Sequence, residues 1–178
     1  VLGLHRPKKG LVHVKIDQQS PIELGEDLDL HNWMLNVGYL SQQPFLFQGT
    51  VRDNLTLRVP GAVLNEKLVA SLIQNLKLDD CLGSQPLEFQ LYEGGSNLSG
   101  GQQQRLALLR ALQIERPVLI LDEATSALDN ELRDVVFGLM RKRAQAGCNV
   151  ILVTHDKELA EQCDDVLDLG ALTNPTIP

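Results

Sequence analysis

Leu98-Ser-Gly-Gly-Gln102 places a hydroxyl and a glycine pair where a helix opens. Ser99 and Gln102 have the spacing of a capping box, and the run from Leu106 to Leu112 continues as a helix. A helix mouth with free backbone N–H groups and no Cβ crowding is an anion site suited to phosphate. Downstream, Val118-Leu-Ile-Leu-Asp122-Glu123 is an apolar strand ending in two adjacent carboxylates. Such an end can deliver one acid to a metal and the other to a water. The blander reading of the pair, two acids leading a helix and favouring its dipole, stands beside this one.

These groups need elements to position them. Val118–Leu121 and Val150–Val153 are continuously apolar runs, the pattern of strands buried on both faces. Between them Leu128, Leu132, Val135 or Val136, and Leu139 mark a core-facing helical stripe. Arg141-Lys-Arg143 falls in its last turns and Gly147 can end it. Strand, helix, strand predicts an α/β fold with a mainly parallel sheet covered on both faces. Upstream, Leu11–Ile16 alternates like a strand and Val37–Leu40 reads as another, whereas Asp17–Asn36 is polar and unassigned. From Gln43 to Asn97 the pattern becomes helical: Leu64, Leu68, Leu72 and Leu76 form one stripe, and loops are expected at Gly83–Pro86 and Glu93–Asn97. Val166–Leu169 is expected as a short last strand and Thr173–Pro178 as a frayed tail.

The 178 residues suit one domain, 43% hydrophobic, able to bury roughly two-thirds of its unfolded surface. No stretch approaches the roughly 20 apolar residues that span a bilayer, so a membrane role falls to a partner or to another part of the polypeptide. A net charge of −7 argues against a nucleic-acid-binding surface. Cys81, Cys148 and Cys163 are widely spaced and odd in number, which fits reduced thiols better than a disulfide frame or zinc site.

In their order and chemistry, Leu98–Gln102 and Val118–Glu123 resemble the signature motif and Walker B of ABC-type ATPases. The resemblance runs from Val1 to about Gly170 and implies a P-loop NTPase-like core, residues 1–42 and 113–178, with an inserted helical subdomain at 43–112. It implies ATP and Mg²⁺ as cofactors. Asp122 would help hold the metal and Glu123 polarise the attacking water. Gln42, in Tyr39-Leu-Ser-Gln-Gln-Pro-Phe-Leu-Phe47, resembles the Q-loop glutamine that contacts metal and water; Gln43 stands where the family often has an acid. His155, ending the second apolar strand, matches the switch histidine that contacts the γ-phosphate. Ser99, Gly100, Gly101 and Gln102 would face the ATP of a second cassette, and Ser126–Asp129 resembles the D-loop, with Asp129 crossing that interface. Taken singly, Gln42 could be a turn glutamine, His155 a structural histidine and Asp129 a polar residue early in a helix.

Phe45-Leu-Phe47-Gln-Gly-Thr-Val-Arg-Asp-Asn54 looks like the exporter branch of the family. Phe45 and Phe47 would then meet a transmembrane partner, fused or separate, or simply be core; Glu93 matches an acidic position that contacts membrane-domain loops. The implied location is the cytoplasmic face of a membrane. No Gly-x4-Gly-Lys-Ser/Thr run occurs in the 178 residues, and Val1–Gly10 resembles the segment just after that loop and its helix. The expectation is a chain that begins downstream of its main ATP-gripping element, binds ATP weakly or not at all, and is inactive alone. Met34 stands where the family usually has arginine. A soluble ABC ATPase and a degenerate, non-hydrolysing cassette are the alternatives. The repair-type arrangement is excluded, because the span from Gln42 to Ser99 is short and carries no heptads.

Overall fold

The computed structural model describes residues 10, 13–14, 22–23, 30–126 and 128–170. In chain order, β1 (His13–Val14) pairs antiparallel with β2 (Ile22–Glu23), and α1 (Leu30–Leu35) leads into β3 (Val37–Leu40). Then come β4 (Gly49–Thr50), α2 (Val51–Thr56), α3 (Glu66–Asn75), α4 (Asp79–Leu82), β5 (Gln90–Leu91) and α5 (Gly100–Gln113). The chain continues through β6 (Val118–Asp122), α6 (Asn130–Gln145), β7 (Asn149–Val153) and α7 (Lys157–Ala160). The otherwise unassigned stretch Asp17–Asn36 thus contributes β2 and α1.

A parallel sheet of order β3-β6-β7 organises the core, with Leu40, Leu121 and Leu152 in register. Alternation along the strands turns Leu40, Leu119 and Leu121 toward α5 and α6, where they join Leu106, Leu108, Leu109 and Met140. Gly38 allows this close approach, since a Cβ there would lie 3.1 Å from Leu119 Cδ1 and 3.6 Å from the Ala111 carbonyl of α5. The other face departs from expectation. Trp33 of α1 covers Val37 and Ile120, but Tyr39, Ile151 and Val153 remain 44%, 36% and 46% exposed. Among the described residues the only helix packed there is α1, whose six residues are too short to reach across to β7.

The helices follow local chemistry. Ser99 and Gln102 form a reciprocal capping box: the Ser99 N–H donates to Gln102 Oε1 at 2.8 Å, and the Gln102 N–H to Ser99 Oγ at 3.3 Å. Thr50 and Asp53 do the same for α2, and Asn65 caps α3. On α3, Val69, Leu72 and Ile73 are buried together with Leu76 just beyond it, and Leu64 and Leu68 pack at the rim of the same core. On α6 the inward residues are Leu132, Val136, Phe137 and Met140; Val136 rather than Val135 is fully buried, and Leu139 is half-buried. Gly147 follows at φ +93, a left-handed position that glycine adopts without Cβ strain.

The short antiparallel pair β4–β5 joins segments forty residues apart, a contact no local pattern announced. Val166–Leu169 forms no strand. Val166, Leu167 and Leu169 are 62%, 73% and 66% exposed, and no strand among the described residues offers them backbone partners. Most of Leu11–Ile16 and all of Thr173–Pro178 lie outside the described residues. Among the described residues no helix is long and apolar enough to cross a membrane, and Cys81, Cys148 and Cys163 are free, partly buried thiols.

Candidate functional site

The carboxyl ends of β3, β6 and β7 lie side by side, so the residue just past each strand can meet the others. Past β6, Glu123 adopts φ +49, a left-handed backbone that costs a non-glycine residue roughly 1–3 kcal/mol. Its N–H donates to the Val153 carbonyl of β7 at 2.9 Å. Its own carbonyl accepts from Ser126 N at 3.2 Å, Ser126 Oγ at 2.9 Å and Gln104 Nε2 at 3.1 Å. Held this way, the side chain points between the other two strand ends.

Gln42, past β3, donates Nε2 to Glu123 Oε2 at 2.9 Å. His155, past β7, brings Nδ1 to 3.4 Å from Glu123 Oε1. The structure therefore joins Gln42, Glu123 and His155 in one cluster, 81 and 32 residues apart in sequence. Gln43, also exposed, stands outside this cluster; its carbonyl accepts from Ser41 Oγ at 2.7 Å. Glu123 is 28% exposed and the His155 side chain 77%, so the cluster opens to solvent on the histidine side.

A polar cavity of about 150 Å³ adjoins the carboxylate, lined by Ser126, Arg133, Thr154, His155 and Asp156 among others. Arg133 Nη1 donates to Asp156 Oδ2 at 2.8 Å, tying α6 to the residue after His155. Asp156 also caps α7 through the Leu159 N–H at 3.1 Å, and its own N–H donates to Thr154 Oγ1 at 3.0 Å. The Leu159 N–H, and then the Arg133 charge, hold the Asp156 carboxyl below the usual carboxylate range. A larger, open hollow of about 440 Å³ between α4 and Phe89 lies away from these groups.

Asp122 ends β6, half-buried, directly before Glu123. Among the described residues no three His, Cys, Asp or Glu side chains converge to hold a metal unaided. The Asp122 carboxylate is a hard oxygen donor of the type that Mg²⁺ takes, one or two at a time, alongside substrate phosphates.

The remaining expected residues sit apart from the cluster. Ser99 and Gly100 are exposed and Gly101 and Gln102 half-buried at the mouth of α5, and a Cβ on Gly100 would meet nothing within 4 Å. Gln102 spends its side-chain oxygen on the cap. Asp129 is exposed and serves as the N-cap of α6, accepting from Leu132 N at 2.8 Å. Phe45 is 70% exposed rather than core. Phe47, half-buried, lies 6.5 Å from its ring, with the Arg58 guanidinium 4.9 Å above the Phe47 ring. Two positioning groups escaped sequence reasoning, Gln104 and Arg133, and Ser126, expected only as the start of the D-loop-like segment, also braces the Glu123 carbonyl. Nothing in the run Gln102-Gln-Gln104 marks the third glutamine, whose 8% exposure arises only in the fold.

A family model described as "ABC transporter" matches residues 1–126. The chain is 38% identical over 151 residues to the lactococcin-G-processing and transport ATP-binding protein LagD of Lactococcus lactis subsp. lactis, covering 83% of this chain and 21% of that protein. It is 34% identical over 157 residues to the mitochondrial ATP-dependent permease MDL1 of Saccharomyces cerevisiae, covering 84% and 22%. It therefore spans about a fifth of the length of these relatives. Among solved structures, a bacterial Atm1-family ABC exporter with ATP bound shares the fold at a TM-score of 0.67 and 24% identity, over 82% of this chain and 27% of that one. With a family-model match over residues 1–126 and relatives 34–38% identical over more than four-fifths of its length, the chain belongs to the ABC transporter family.

Proposed function

We propose that the chain is part of an ATP-binding and ATP-hydrolysing cassette of an exporter, which couples nucleotide-driven pairing of two cassettes to transport across a membrane. The observation that carries this reading is the Glu123 carboxylate, fixed between the Gln42 amide and the His155 imidazole. A carboxylate so placed can accept the proton of a water aimed at a phosphorus atom. Gln42 donates to one carboxylate oxygen, and the other, with His155 Nδ1 3.4 Å away, lies on the solvent-open side where that water would sit. His155 is exposed enough to reach a transferred phosphoryl oxygen. Asp122 would hold Mg²⁺, which when bound neutralises charge on the phosphate oxygens. Catalysis of this kind is positioning and charge stabilisation rather than covalent chemistry.

The mouth of α5, Ser99 to Gln102, would offer the Gly100 and Gly101 N–H groups, which the capping box does not use, to the ATP of the second cassette, with Asp129 near the shared surface. Residues 43–112 would form the helical subdomain and 1–42 with 113–178 the α/β core. Exposed Phe45 and the Glu93 turn suit contact with a transmembrane domain, fused or separate, at the cytoplasmic face of a membrane. The net charge of −7 favours no nucleic-acid partner.

The test is Ser99→Arg, which puts a bulky cation where small groups must meet the partner's phosphate. With hydrolysis blocked by Glu123→Gln, size-exclusion chromatography of the complete cassette with Mg-ATP is expected to show a dimer that disappears when Ser99→Arg is added. A monomer in both cases removes the head-to-tail pairing, and an undiminished dimer removes the role of Ser99.

A further inference from the structure

Three consecutive glutamines open α5, and each fastens something different. Gln102 closes the cap on Ser99. Gln103 Nε2 donates to the Gly95 carbonyl at 3.0 Å and the Leu98 carbonyl at 3.1 Å, pinning the loop that enters the helix. Gln104, only 8% exposed, turns the other way and donates Nε2 to the Glu123 carbonyl at 3.1 Å.

That carbonyl belongs to the residue held at φ +49, whose side chain carries the carboxylate of the cluster. We propose that Gln104 is a positioning residue that holds the Glu123 carboxylate in its pose by anchoring the Glu123 carbonyl to α5. The catalytic meaning rests on the reading of Glu123 as the hydrolytic carboxylate; the physical link does not. Gln104 lies in the first two turns of α5, and its amide reaches Glu123 directly, at a backbone that is already strained. Ser126 Oγ and N donate to the same carbonyl.

The experiment uses the full-length protein carrying this chain, with steady-state turnover and amide hydrogen exchange read in parallel. Gln104→Met keeps the volume and removes the donor. It is expected to lower kcat about tenfold, the upper effect of one net hydrogen bond, with KM for Mg-ATP unchanged. Exchange of the Glu123 amide is expected to rise, whereas the amides of Leu106 to Leu112 stay protected. A rise spread along all of α5 would mean that Gln104 merely packs, and would overturn the link. So would unchanged turnover together with unchanged exchange at Glu123.

Ser126→Ala, at an exposed position, removes a second donor to the same carbonyl without threatening the core. It should move kcat and Glu123 exchange in the same direction as Gln104→Met. Looser exchange with full turnover would show that the pose of Glu123 does not set the rate, and would sink the proposal. Glu123→Gln separates the two claims: if it leaves turnover intact the functional reading fails, while the exchange data still judge the link.

Discussion

Glu123→Gln separates chemistry from architecture because the two effects differ several-fold in size. Glutamine matches glutamate in shape, so the cost of the left-handed backbone at φ +49 is the same for both. The backbone bonds to Val153, Ser126 and Gln104 do not involve the side chain and persist. What changes is the 2.9 Å bond from Gln42, which goes from charge-assisted to neutral, a loss of about 1 kcal/mol. At 28% exposure water compensates part of that, so Tm is expected to fall by no more than about 2–4 °C. Removing a general base, by contrast, lowers turnover by about 10²–10⁴-fold, or about 2.7–5.4 kcal/mol of barrier. In the full-length protein, phosphate release, nucleotide affinity and thermal unfolding measured together should show a near-dead enzyme with intact affinity and almost intact stability. Turnover within about twofold of wild type, less than about 0.5 kcal/mol of barrier, would refute the assignment of Glu123. A large Tm loss would refute the claim that its backbone is held independently of its side chain.

Two further outcomes follow from bonds around the site. Asn54 is fully buried, donates Nδ2 to the Phe47 and Thr50 carbonyls at 2.9 and 3.1 Å, and accepts from Phe47 N at 3.1 Å. Asn54→Leu leaves those loop groups unpaired and should cost about 2–4 kcal/mol by denaturant unfolding; a loss under about 0.5 kcal/mol would mean that the loop after Gln42 does not depend on it. Asp156 has a lowered pKa, so its charge stabilises the fold above the unfolded carboxylate value of about 3.9, and that contribution disappears as pH falls through the lower folded value. The Tm gap between wild type and Asp156→Asn should stay constant from neutral pH to about 5 and close below about 4; a gap that widens in acid would reverse the sign of the argument.

What could be read from the sequence was what local chemistry decides. The Ser99–Gln102 box and the strands ending at Asp122 and Val153 follow from spacing and apolar runs, and the structure has them; the choice of Gln42 over Gln43 rests instead on the family resemblance, and in the fold Gln42 donates to Glu123. The shortfalls share a cause, which is that a partner distant in sequence decides the outcome. Val166–Leu169 has strand-like residues but no neighbouring strand among the described residues, so it stays irregular and exposed, with Leu169 in a turn. The apolar run of β7 promised burial on both faces, yet Ile151 and Val153 are covered on neither edge of α1's reach. Arg133 reads as a surface arginine early in α6 until Asp156, 23 residues on, turns out to accept from it.

Glu123 shows why the chemistry was legible while its geometry was not. Local propensity opposes the conformation this residue adopts, since a Cβ disfavours φ +49 by roughly 1–3 kcal/mol. Glycine would relieve that strain but would bring no carboxylate, so the strain and the acid come together. Offsetting it takes Val153 of β7, the Ser126 turn and Gln104 of α5, three segments that meet only when the sheet and its covering helices are in place. Each bond contributes about 0.5–1.5 kcal/mol net, so any one alone offsets about half of the strain and all of them together exceed it. The carboxylate is therefore aimed only in the assembled fold, where β7, the Ser126 turn and α5 all reach its backbone.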